Sequence, residues 1–187
     1  MDENGSKQSV RLEVFRWIAS LALAFVFIYA LNNVVIVHAT VPTESMESTI
    51  PAGTRVIGFR LSYLFSEPGR FDVIAFSSPD GTDTHYIKRV IGLPGETVDI
   101  VNGMVFINGG DEPLDEWYLF EPPAGISLVN QSFAIPEGHY FVMGDHRNIS
   151  RDSRGLCLFP WDNLFICESI ILGRAVFTYF PNLGLVR

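Results

Sequence analysis

The sequence predicts a mainly β protein whose domain follows one membrane-spanning helix. Three observations favour this class. An uncharged apolar run lies near the N-terminus, short alternating runs rich in β-branched and aromatic residues follow it, and Gly or Pro interrupts those runs. Hydrophobic residues make up 48% of the 187 residues, which is enough for one domain with a small lobe and for an additional apolar segment.

The apolar run extends from Trp17 to Val37 and has the length of a helix that crosses a bilayer. A buried core helix would show a polar face, and this run shows none. A cleaved secretory signal is a second interpretation, because Val37-His38-Ala39 places small residues where such signals are processed. We favour a retained signal anchor, because the run is longer than the apolar core of a usual signal peptide.

The charges that flank the run predict its orientation. Lys7, Arg11 and Arg16 precede it, and the next Lys or Arg is Arg55. Positive charge is enriched on the cytoplasmic side of membrane helices. We therefore predict a cytoplasmic N-terminus at residues 1–16, a transmembrane anchor at residues 17–37 and an extracytoplasmic domain at residues 38–187.

Antiparallel β structure is predicted for most of the remaining chain, because its apolar residues alternate with polar ones. Asn32 and Asn33 are expected to mark the end of the helix, and residues 34–41 are expected to continue as a strand. Asn102-Gly103 stands between two alternating runs and is typical of a two-residue hairpin turn. The other predicted strands are residues 55–59, 71–76, 85–93, 139–145 and 173–180.

A small β lobe is predicted at residues 100–136, inserted into the main β domain. Within it, residues 113–132 are polar, proline-rich and irregular, with an aromatic cluster from Trp117 to Phe120. This segment either contacts a partner or lipid through its aromatic residues or folds back on its own sheet. The sequence leaves both interpretations open.

The composition argues against several classes of function. A formal net charge of -8 opposes a nucleic-acid partner, because such partners are bound by clustered Lys and Arg. Cys157 and Cys167 lack the spacing of metal ligands, so they either form one disulfide or pack as small apolar residues. No metal site and no organic cofactor are expected.

Histidine gives little support for a histidine-based catalytic site. The chain has four histidines, and none lies in an H-E-x-x-H or G-x-S-x-G pattern. His38 lies at the membrane edge and His139 in a predicted strand, so both are interpreted as structural. His85 and His146 remain candidates.

Lysine is the alternative base for a serine nucleophile, because burial disfavours the charged ammonium and lowers its pKa. Lowering a lysine pKa from about 10.4 to about 7 requires ~4.6 kcal/mol, which full burial can supply. Lys88 lies in the apolar run of residues 85–93, where alternation places it and Arg89 on opposite faces. Ser45, in the stretch "VPTESMESTI" just beyond the anchor, is the candidate nucleophile.

Three separated motifs of this chain match one known family. "PTESMESTI" at residues 42–50 is similar to P-[ST]-x-S-M-x-P-T-[LI], except that Ser48 replaces proline. "YIKRVIGLPGE" at residues 86–96 matches a second motif throughout, and "GDHRNISRDSR" at residues 144–154 departs from a third mainly at His146. The chain therefore resembles the bacterial type I signal peptidases, which are membrane-bound serine endopeptidases with a Ser/Lys dyad and an antiparallel β-sheet catalytic domain.

The resemblance implies a role for each matching residue. Ser45 would attack the scissile carbonyl, and Lys88, neutral in a buried setting, would take its proton and later protonate the leaving amine. The backbone N–H of Ser45 and the hydroxyl of Thr43 would form the oxyanion hole. Ser150 would orient the lysine ammonium. The charged residues expected to support the site, with an ion pair between the last two, are Asp145, Arg147, Asp152 and Arg154.

Two positions depart from the family motifs. Proline at position 48 would stiffen the loop after the nucleophile, so Ser48 is expected to loosen that loop. His146 replaces asparagine, and it either brings a group that titrates near neutrality close to the site or turns outward. The intact "YIKRV" indicates the lysine type of peptidase and not the histidine type of the endoplasmic reticulum.

The implied function is removal of signal peptides from secreted preproteins at the membrane, after small residues at the first and third positions before the scissile bond. The extended substrate would pair with a sheet edge. Expected partners are preprotein signal peptides and membrane lipid, with the secretion machinery left open, and the chain is expected to be a monomer. Two alternatives are a self-cleaving Ser/Lys protein of the SOS-repressor kind, which the apolar anchor opposes, and a non-catalytic anchored β domain, which the complete dyad opposes.

Overall fold

A computed structural model describes residues 3–78, 84–155 and 164–187. The chain divides into two compact units, Met1–Ile36 and Val37–Arg187. The first unit is helical, and the second is built mainly from β-strands. The predicted fold class, a mainly β chain with one apolar N-terminal helix, is confirmed.

The apolar segment forms helix α1, Glu3–Ala30, and continues as a π-helical turn over Leu31–Val35. The stretch Arg11–Val35 is long and apolar enough to cross a membrane. The helix begins well before the predicted residue 17, because extending a formed helix into a neighbouring polar segment costs little. It ends at residue 35, two residues after the expected end at Asn33, and the β-branched residues that follow form a strand.

The two asparagines lie in the π-helical turn, at the end of the helix as predicted. The side-chain amide of Asn32 donates to the carbonyl of Ile28 at 3.0 Å, and that of Asn33 donates to the carbonyl of Tyr29 at 2.8 Å. An unpaired amide would be costly in hydrocarbon. These local bonds therefore explain how two polar residues fit into an apolar segment.

The described residues contain eleven β-strands, which we number in chain order. Their bounds are β1 Ile36–Thr40, β2 Arg55–Phe59, β3 Val73–Ser77, β4 His85–Gly92, β5 Thr97–Val101, β6 Met104–Ile107, β7 Gln131–Ala134, β8 His139–Met143, β9 Ile166–Cys167, β10 Ile171–Phe180 and β11 Gly184–Leu185.

Eight of these strands form the main sheet, in the order β1-β2-β10-β3-β4-β8-β9, with β11 paired to β10. The pairings of β10 with β2, β3 and β11 are antiparallel, and so are those of β4 with β3 and β8. The strand predicted at residues 34–41 and the five later ones outside the hairpin are all present, with some ends shifted by one or two residues. The two longest strands, β4 and β10, both lie inside the sheet and not at its edges.

The remaining three strands form a small sheet in the order β6-β5-β7. Asn102 and Gly103 join β5 to β6 with φ angles of 51° and 81°, which a tight hairpin turn requires at both positions. The small lobe begins at Thr97 and not at residue 100, because the alternating residues before the turn pair with both β6 and β7. The sequence therefore placed the turn correctly, and the boundary of the lobe lies three residues earlier than expected.

Two side chains anchor the segment between β1 and β2 in the core. Met46 and Ile50 are fully buried and pack in a cluster that includes Val56 and Ala175. Burial of each such side chain contributes about 1.5–3 kcal/mol. Ser45 directly precedes Met46, so the packing of Met46 in the core fixes the position of Ser45 in the fold.

Residues 113–132 fold back on the β domain. Tyr118 is buried in a cluster with Ile91 and Phe141, and the Ser127 hydroxyl donates to the Arg147 carbonyl at 3.0 Å. The neighbouring Trp117 and Phe120 of the aromatic cluster remain exposed. Of the two interpretations that the sequence left open, folding back on the β domain therefore describes this segment. The exposed rings are those of Trp117 and Phe120.

Candidate active site

Ser45 lies in the middle of a short 3₁₀ turn, Glu44–Met46, between β1 and β2. The residue is only 7% exposed. Thr43 Oγ1 donates to Ser45 Oγ at 3.3 Å, and the backbone N–H of His146 donates to the Ser45 carbonyl at 3.2 Å. The hydroxyl and the carbonyl of Ser45 are therefore each held by a separate contact.

Lys88 lies on β4 and contacts the same hydroxyl. Its Nζ donates to Ser45 Oγ at 2.5 Å, and the residue is 4% exposed. Burial lowers the pKa of the Lys88 ammonium from its ordinary value of 10.5 to about 8, against the opposing effect of the Asp152 and Asp145 carboxylates. About a tenth of the amine is then neutral at pH 7, and the neutral form is the one that accepts a proton.

Arg89, the next residue on β4, has a separate set of partners. Its Nε donates to Asp145 Oδ1 at 2.9 Å and its Nη2 to Asp145 Oδ2 at 2.7 Å, and both side chains are fully buried. Its guanidinium also lies 4.0 Å from the centre of the Tyr118 ring. Lys88 and Arg89 thus contact different groups, as the alternation of the strand predicts.

The motif at residues 144–154 forms a loop that packs against Ser45, and we call it the site loop. Arg154 Nε donates to Asp152 Oδ1 at 2.7 Å, so the ion pair expected from the sequence is present. Burial opposes the charged form of Asp152, but the Arg154 guanidinium and the Gly144 N–H outweigh it and lower the pKa of this carboxyl. A charged Asp152 therefore links Arg154 to the start of the loop.

Arg147 takes a partner from outside the motif. Its guanidinium donates to both carboxylate oxygens of Glu116, one of them at 3.0 Å. Phe120 donates its backbone N–H to the Asp145 carbonyl at 3.3 Å. The site loop is therefore held by residues of the segment that folds back over the domain.

Ser150 is buried in the same loop. Its hydroxyl interacts with the Asp152 carboxylate and contributes to the lowered pKa of that group. The structure therefore brings Ser45 and Lys88 together, while the expected contact between Ser150 and the Lys88 ammonium is not formed. The orienting role of Ser150 stays a prediction.

Gly144 lies where the site loop approaches Ser45. A methyl group at this position would collide with the Ser45 carbonyl and the Ser150 side chain. We expect Gly144→Ala to lower the free energy of unfolding by about 1–3 kcal/mol through overpacking. Urea unfolding of the full chain in detergent micelles would measure this change.

Gly69→Ala is the matched control for that substitution. A methyl group there would meet no atom closer than 3.8 Å, which is an ordinary contact. Equal stability of the two alanine variants would contradict the close approach at Gly144.

Ser48 occupies the position where the family motif has proline. Its φ angle is 78°, in the left-handed region, which the ring of proline cannot adopt. Its hydroxyl donates to the carbonyl of Tyr118 at 2.6 Å. The expectation that Ser48 loosens the loop therefore needs correction, because the serine forms a long-range bond that ties the loop to the domain.

The two candidate histidines differ in their surroundings. His146 is buried, with its ring 4.7 Å from that of Phe120 and its Nε2 3.0 Å from Glu121 Oε1. Its ring is directed toward Glu121. The ring is therefore neither exposed to solvent nor in contact with Ser45. His85 is exposed beside the cleft described next.

A cleft of about 520 Å³ opens in front of Ser45 and Lys88. Residues 40–43 form one wall and residues 84–88 the opposite wall, with Ile149 and Arg151 at a third side. Residues 85–88 pair with β3, and the pairing of β4 with β8 begins at Arg89. A strand of the main sheet therefore lines the cleft.

No second catalytic group of side chains is found among the other described residues. A second cavity, of about 660 Å³, lies beside the small sheet and includes none of the expected site residues. No three His, Cys, Asp or Glu side chains of the described ranges are grouped as metal ligands. Cys167 Sγ lies 3.1 Å from Ser169 Oγ, and Cys157 lies outside the described residues.

Sequence reasoning missed several residues that hold the site. Arg89, Thr49 and Glu116 pair with residues of the site loop, and none was singled out as a support. One signal was available for Arg89, because an arginine in an otherwise apolar strand needs a buried acidic partner. The partner itself could not be identified, since it lies 56 residues away.

Comparison with known proteins gives consistent matches. The sequence model of the family described as "Signal peptidase, peptidase S26" matches residues 14–180. A Synechocystis sp. protein named "Probable signal peptidase I-1" is 37% identical over 168 residues, covering 86% of this chain and 80% of that protein. A Staphylococcus aureus protein named "Signal peptidase IB" is 31% identical over 185 residues, covering 92% of each.

Among solved structures, a signal peptidase I from Enterococcus faecalis matches at 30% sequence identity with a TM-score of 0.39. The match covers 58% of this chain and 97% of that one.

Proposed function

This chain belongs to the signal peptidase family, peptidase S26, and we propose that it is a membrane-anchored signal peptidase I that uses Ser45 and Lys88 as a catalytic dyad. The observation that carries the dyad is the 2.5 Å contact between Lys88 Nζ and Ser45 Oγ, at a pair of buried residues facing an open cleft. The reaction is hydrolysis of the peptide bond between a signal peptide and the mature protein.

In the first half of the reaction, neutral Lys88 accepts the Ser45 proton while the hydroxyl oxygen attacks the scissile carbonyl carbon. The tetrahedral intermediate then collapses to an ester on Ser45, and the bond to the amine breaks. The Lys88 ammonium gives its proton to that amine, which leaves as the new N-terminus of the mature protein.

In the second half, water attacks the ester while Lys88 takes one of its protons. The second tetrahedral intermediate releases the signal peptide as a carboxylic acid, and the proton returns to the Ser45 oxygen. Both side chains thus recover their starting states. A pKa of about 8 suits a group that must accept and donate a proton in each cycle.

The oxyanion of each intermediate is stabilised by the Ser45 N–H and the Thr43 hydroxyl. In the resting site Thr43 Oγ1 donates to Ser45 Oγ. A hydroxyl hydrogen rotates to suit its acceptor, so Thr43 redirects this bond to the substrate oxygen as negative charge develops there. Its position two residues before the nucleophile makes both donors part of one turn.

Ser150 completes the site by orienting the Lys88 ammonium after proton transfer. Its buried side chain lies beside Gly144, where the loop also approaches the Ser45 carbonyl, and this position supports the role. Asp152 and Arg154 support the loop that carries Ser150, and Asp145 and Arg147 join that loop to β4 and to Glu116.

The substrate binds in an extended form beside the strand that lines the cleft. A peptide that pairs with a sheet edge adds to the sheet as a further strand. The residues at the first and third positions before the scissile bond then face the same side, because alternate side chains of a strand do so. The preference for small residues at these positions, as in Ala-x-Ala, follows from the resemblance to the bacterial type I signal peptidases.

The apolar helix holds the enzyme at the membrane from which its substrates emerge. The basic residues before the helix favour a cytoplasmic N-terminus and an extracytoplasmic catalytic domain. Membrane lipid is then a permanent partner, and a monomer is sufficient because nucleophile and base lie in one chain.

Cleavage of a preprotein by the detergent-solubilised full chain tests the function. With alanine at the first and third positions, we expect one cut, directly after the second alanine, as read from the N-terminal sequence of the product. Arginine in place of that alanine should lower the rate by about a hundredfold, since a charged side chain does not fit a site for small residues. Cleavage at several unrelated positions, or indifference to the arginine, would contradict the proposal.

A further inference from the structure

We propose that Ser48 is a positioning residue, which holds the turn carrying the nucleophile through its hydrogen bond to the carbonyl of Tyr118. The inference rests on the proposed role of Ser45 as the nucleophile. It concerns the one position at which "PTESMESTI" departs from the family motif. A proline at this position would restrict the backbone through its ring, whereas this chain uses a contact with a distant segment.

The backbone at Ser48 needs such a contact. Its φ angle of 78° lies in the left-handed region, which is unfavourable for residues other than glycine and is tolerated best by asparagine and aspartate. Without a partner for its side chain, the residue would relax toward a negative φ. That rotation would swing the preceding Glu44–Met46 turn, which carries the Ser45 hydroxyl.

The acceptor of the bond is held firmly. Tyr118 is 3% exposed, its ring lies 5.7 Å from that of Phe71 and 4.0 Å from the Arg89 guanidinium, and its hydroxyl donates to Glu116 at 2.9 Å. The carbonyl that accepts from Ser48 therefore belongs to one of the best-anchored residues of its segment. A bond of 2.6 Å to such an acceptor fixes the Ser48 side chain and the turn before it.

The contact also closes a ring of interactions around the site. Arg89 connects Tyr118 to Asp145, and Thr49, next to Ser48, donates to Asp145 at 2.5 Å. The loop that begins beside Asp145 then returns to the nucleophile through the His146 N–H. Ser48, two residues after the Glu44–Met46 turn, connects this part of the ring to the folded-back segment.

The test compares four variants of the full chain in detergent. Ser48→Gly and Ser48→Ala both remove the hydroxyl, but only glycine also relieves the strain of the positive φ. Ser48→Thr keeps the hydroxyl on the same backbone. Ser66→Ala is the matched control, because it removes another serine hydroxyl that donates to a carbonyl, that of Ser62 at 2.8 Å, on an exposed turn.

We expect kcat for preprotein cleavage to fall about tenfold in Ser48→Gly and Ser48→Ala, with KM unchanged, because a displaced nucleophile slows chemistry and leaves the binding cleft intact. Ser48→Thr should retain more activity than Ser48→Ala, and Ser66→Ala should match the wild type. Hydrogen–deuterium exchange should quicken at residues 44–50 in the two impaired variants and stay unchanged in the central strands.

Wild-type kcat in Ser48→Gly would overturn the inference, since it would show that the hydroxyl is dispensable once the strain is gone. A Ser45→Ala sample separates this result from the proposed function. If that sample still cleaves the preprotein, the nucleophile assignment fails, whereas normal cleavage by the Ser48 variants alone rejects only the positioning role.

Discussion

Replacing Lys88 with methionine is expected to abolish preprotein cleavage and, at the same time, to make the protein more stable. Methionine has a similar length and no proton to exchange, so kcat should fall by about 10³-fold or more. The stability gain follows from the pKa of Lys88, which burial lowers from 10.5 to about 8. Burying the ammonium therefore costs about 3 kcal/mol at pH 7, and the variant should recover most of it.

The pKa of Lys88 determines how the stability gain of Lys88→Met changes with pH. Below pH 8 the lysine is protonated in both the folded and the unfolded chain, so the full cost of burial is present. Between about pH 8 and 10.5 the folded chain releases its proton first, and stability rises with pH. The difference in unfolding free energy between Lys88→Met and the wild type should therefore be largest near neutrality and shrink above pH 8.

Cleavage should follow the same titration in the wild type. In the proposed mechanism the neutral amine is the base, so kcat/KM should rise with pH and reach half of its plateau at about pH 8. Lys88→Arg keeps the charge but cannot lose its proton in this range, so it should also be inactive. Partial activity in Lys88→Arg would instead indicate that the lysine acts only through its charge.

Ser45→Ala separates the effect of Lys88→Met on cleavage from its effect on stability. It should remove cleavage to the same extent as Lys88→Met, because the two residues act as one unit. It leaves the buried ammonium in place and should not produce the same gain in stability. Thermal or urea unfolding of both variants in one detergent, at pH 7 and pH 10, would provide the comparison.

The second large effect is expected at the Arg89–Asp145 pair. Arg89→Met leaves Asp145 as an uncompensated buried charge, so the free energy of unfolding should fall by about 3–5 kcal/mol. Both side chains are fully buried, and Thr49 and the Phe71 carbonyl also lose a donor. Urea unfolding of the full chain, followed by circular dichroism, measures the loss.

Two further variants make that measurement decisive. The double variant Arg89→Met with Asp145→Leu removes both charges and should recover part of the stability, so the two substitutions should not be additive. Arg174→Met is the exposed counterpart, because Arg174 pairs with Asp72 at 3.1 Å while remaining about half exposed. It should change stability by less than about 1 kcal/mol. A loss in Arg89→Met no greater than in Arg174→Met would show that the buried pair is unimportant.

Local patterns predicted the elements of this fold well. Asn102-Gly103 marks the hairpin because its turn needs two positive φ angles, and the alternating run around Lys88 marks β4 because a strand presents its side chains to two sides. The start of α1 was missed because a hydropathy pattern finds apolar residues, whereas a helix also extends through polar ones. The boundary of the small lobe was placed late, at residue 100, because it depends on tertiary pairing of the strand that begins at Thr97.

The site was predictable only as far as its motifs extend. The motifs named Ser45 and Lys88, and the structure brings these residues within 2.5 Å of each other across 43 residues of sequence. The partners of Arg89 and Arg147 could not be read from the sequence, because buried ion pairs depend on which strands and loops meet in the folded chain. Ser48 was misjudged for the same reason, since its acceptor lies 70 residues away.

The long separation of these contacts has a consequence for synthesis of the enzyme. Thr49 on the nucleophile segment binds Asp145, which lies 96 residues later in the chain. In a growing polypeptide, Ser45 is therefore synthesised long before the loop that it contacts. Because such distant contacts form only once both partners are available, the contacts that hold the segment around Ser45 are completed only after Asp145 has been synthesised.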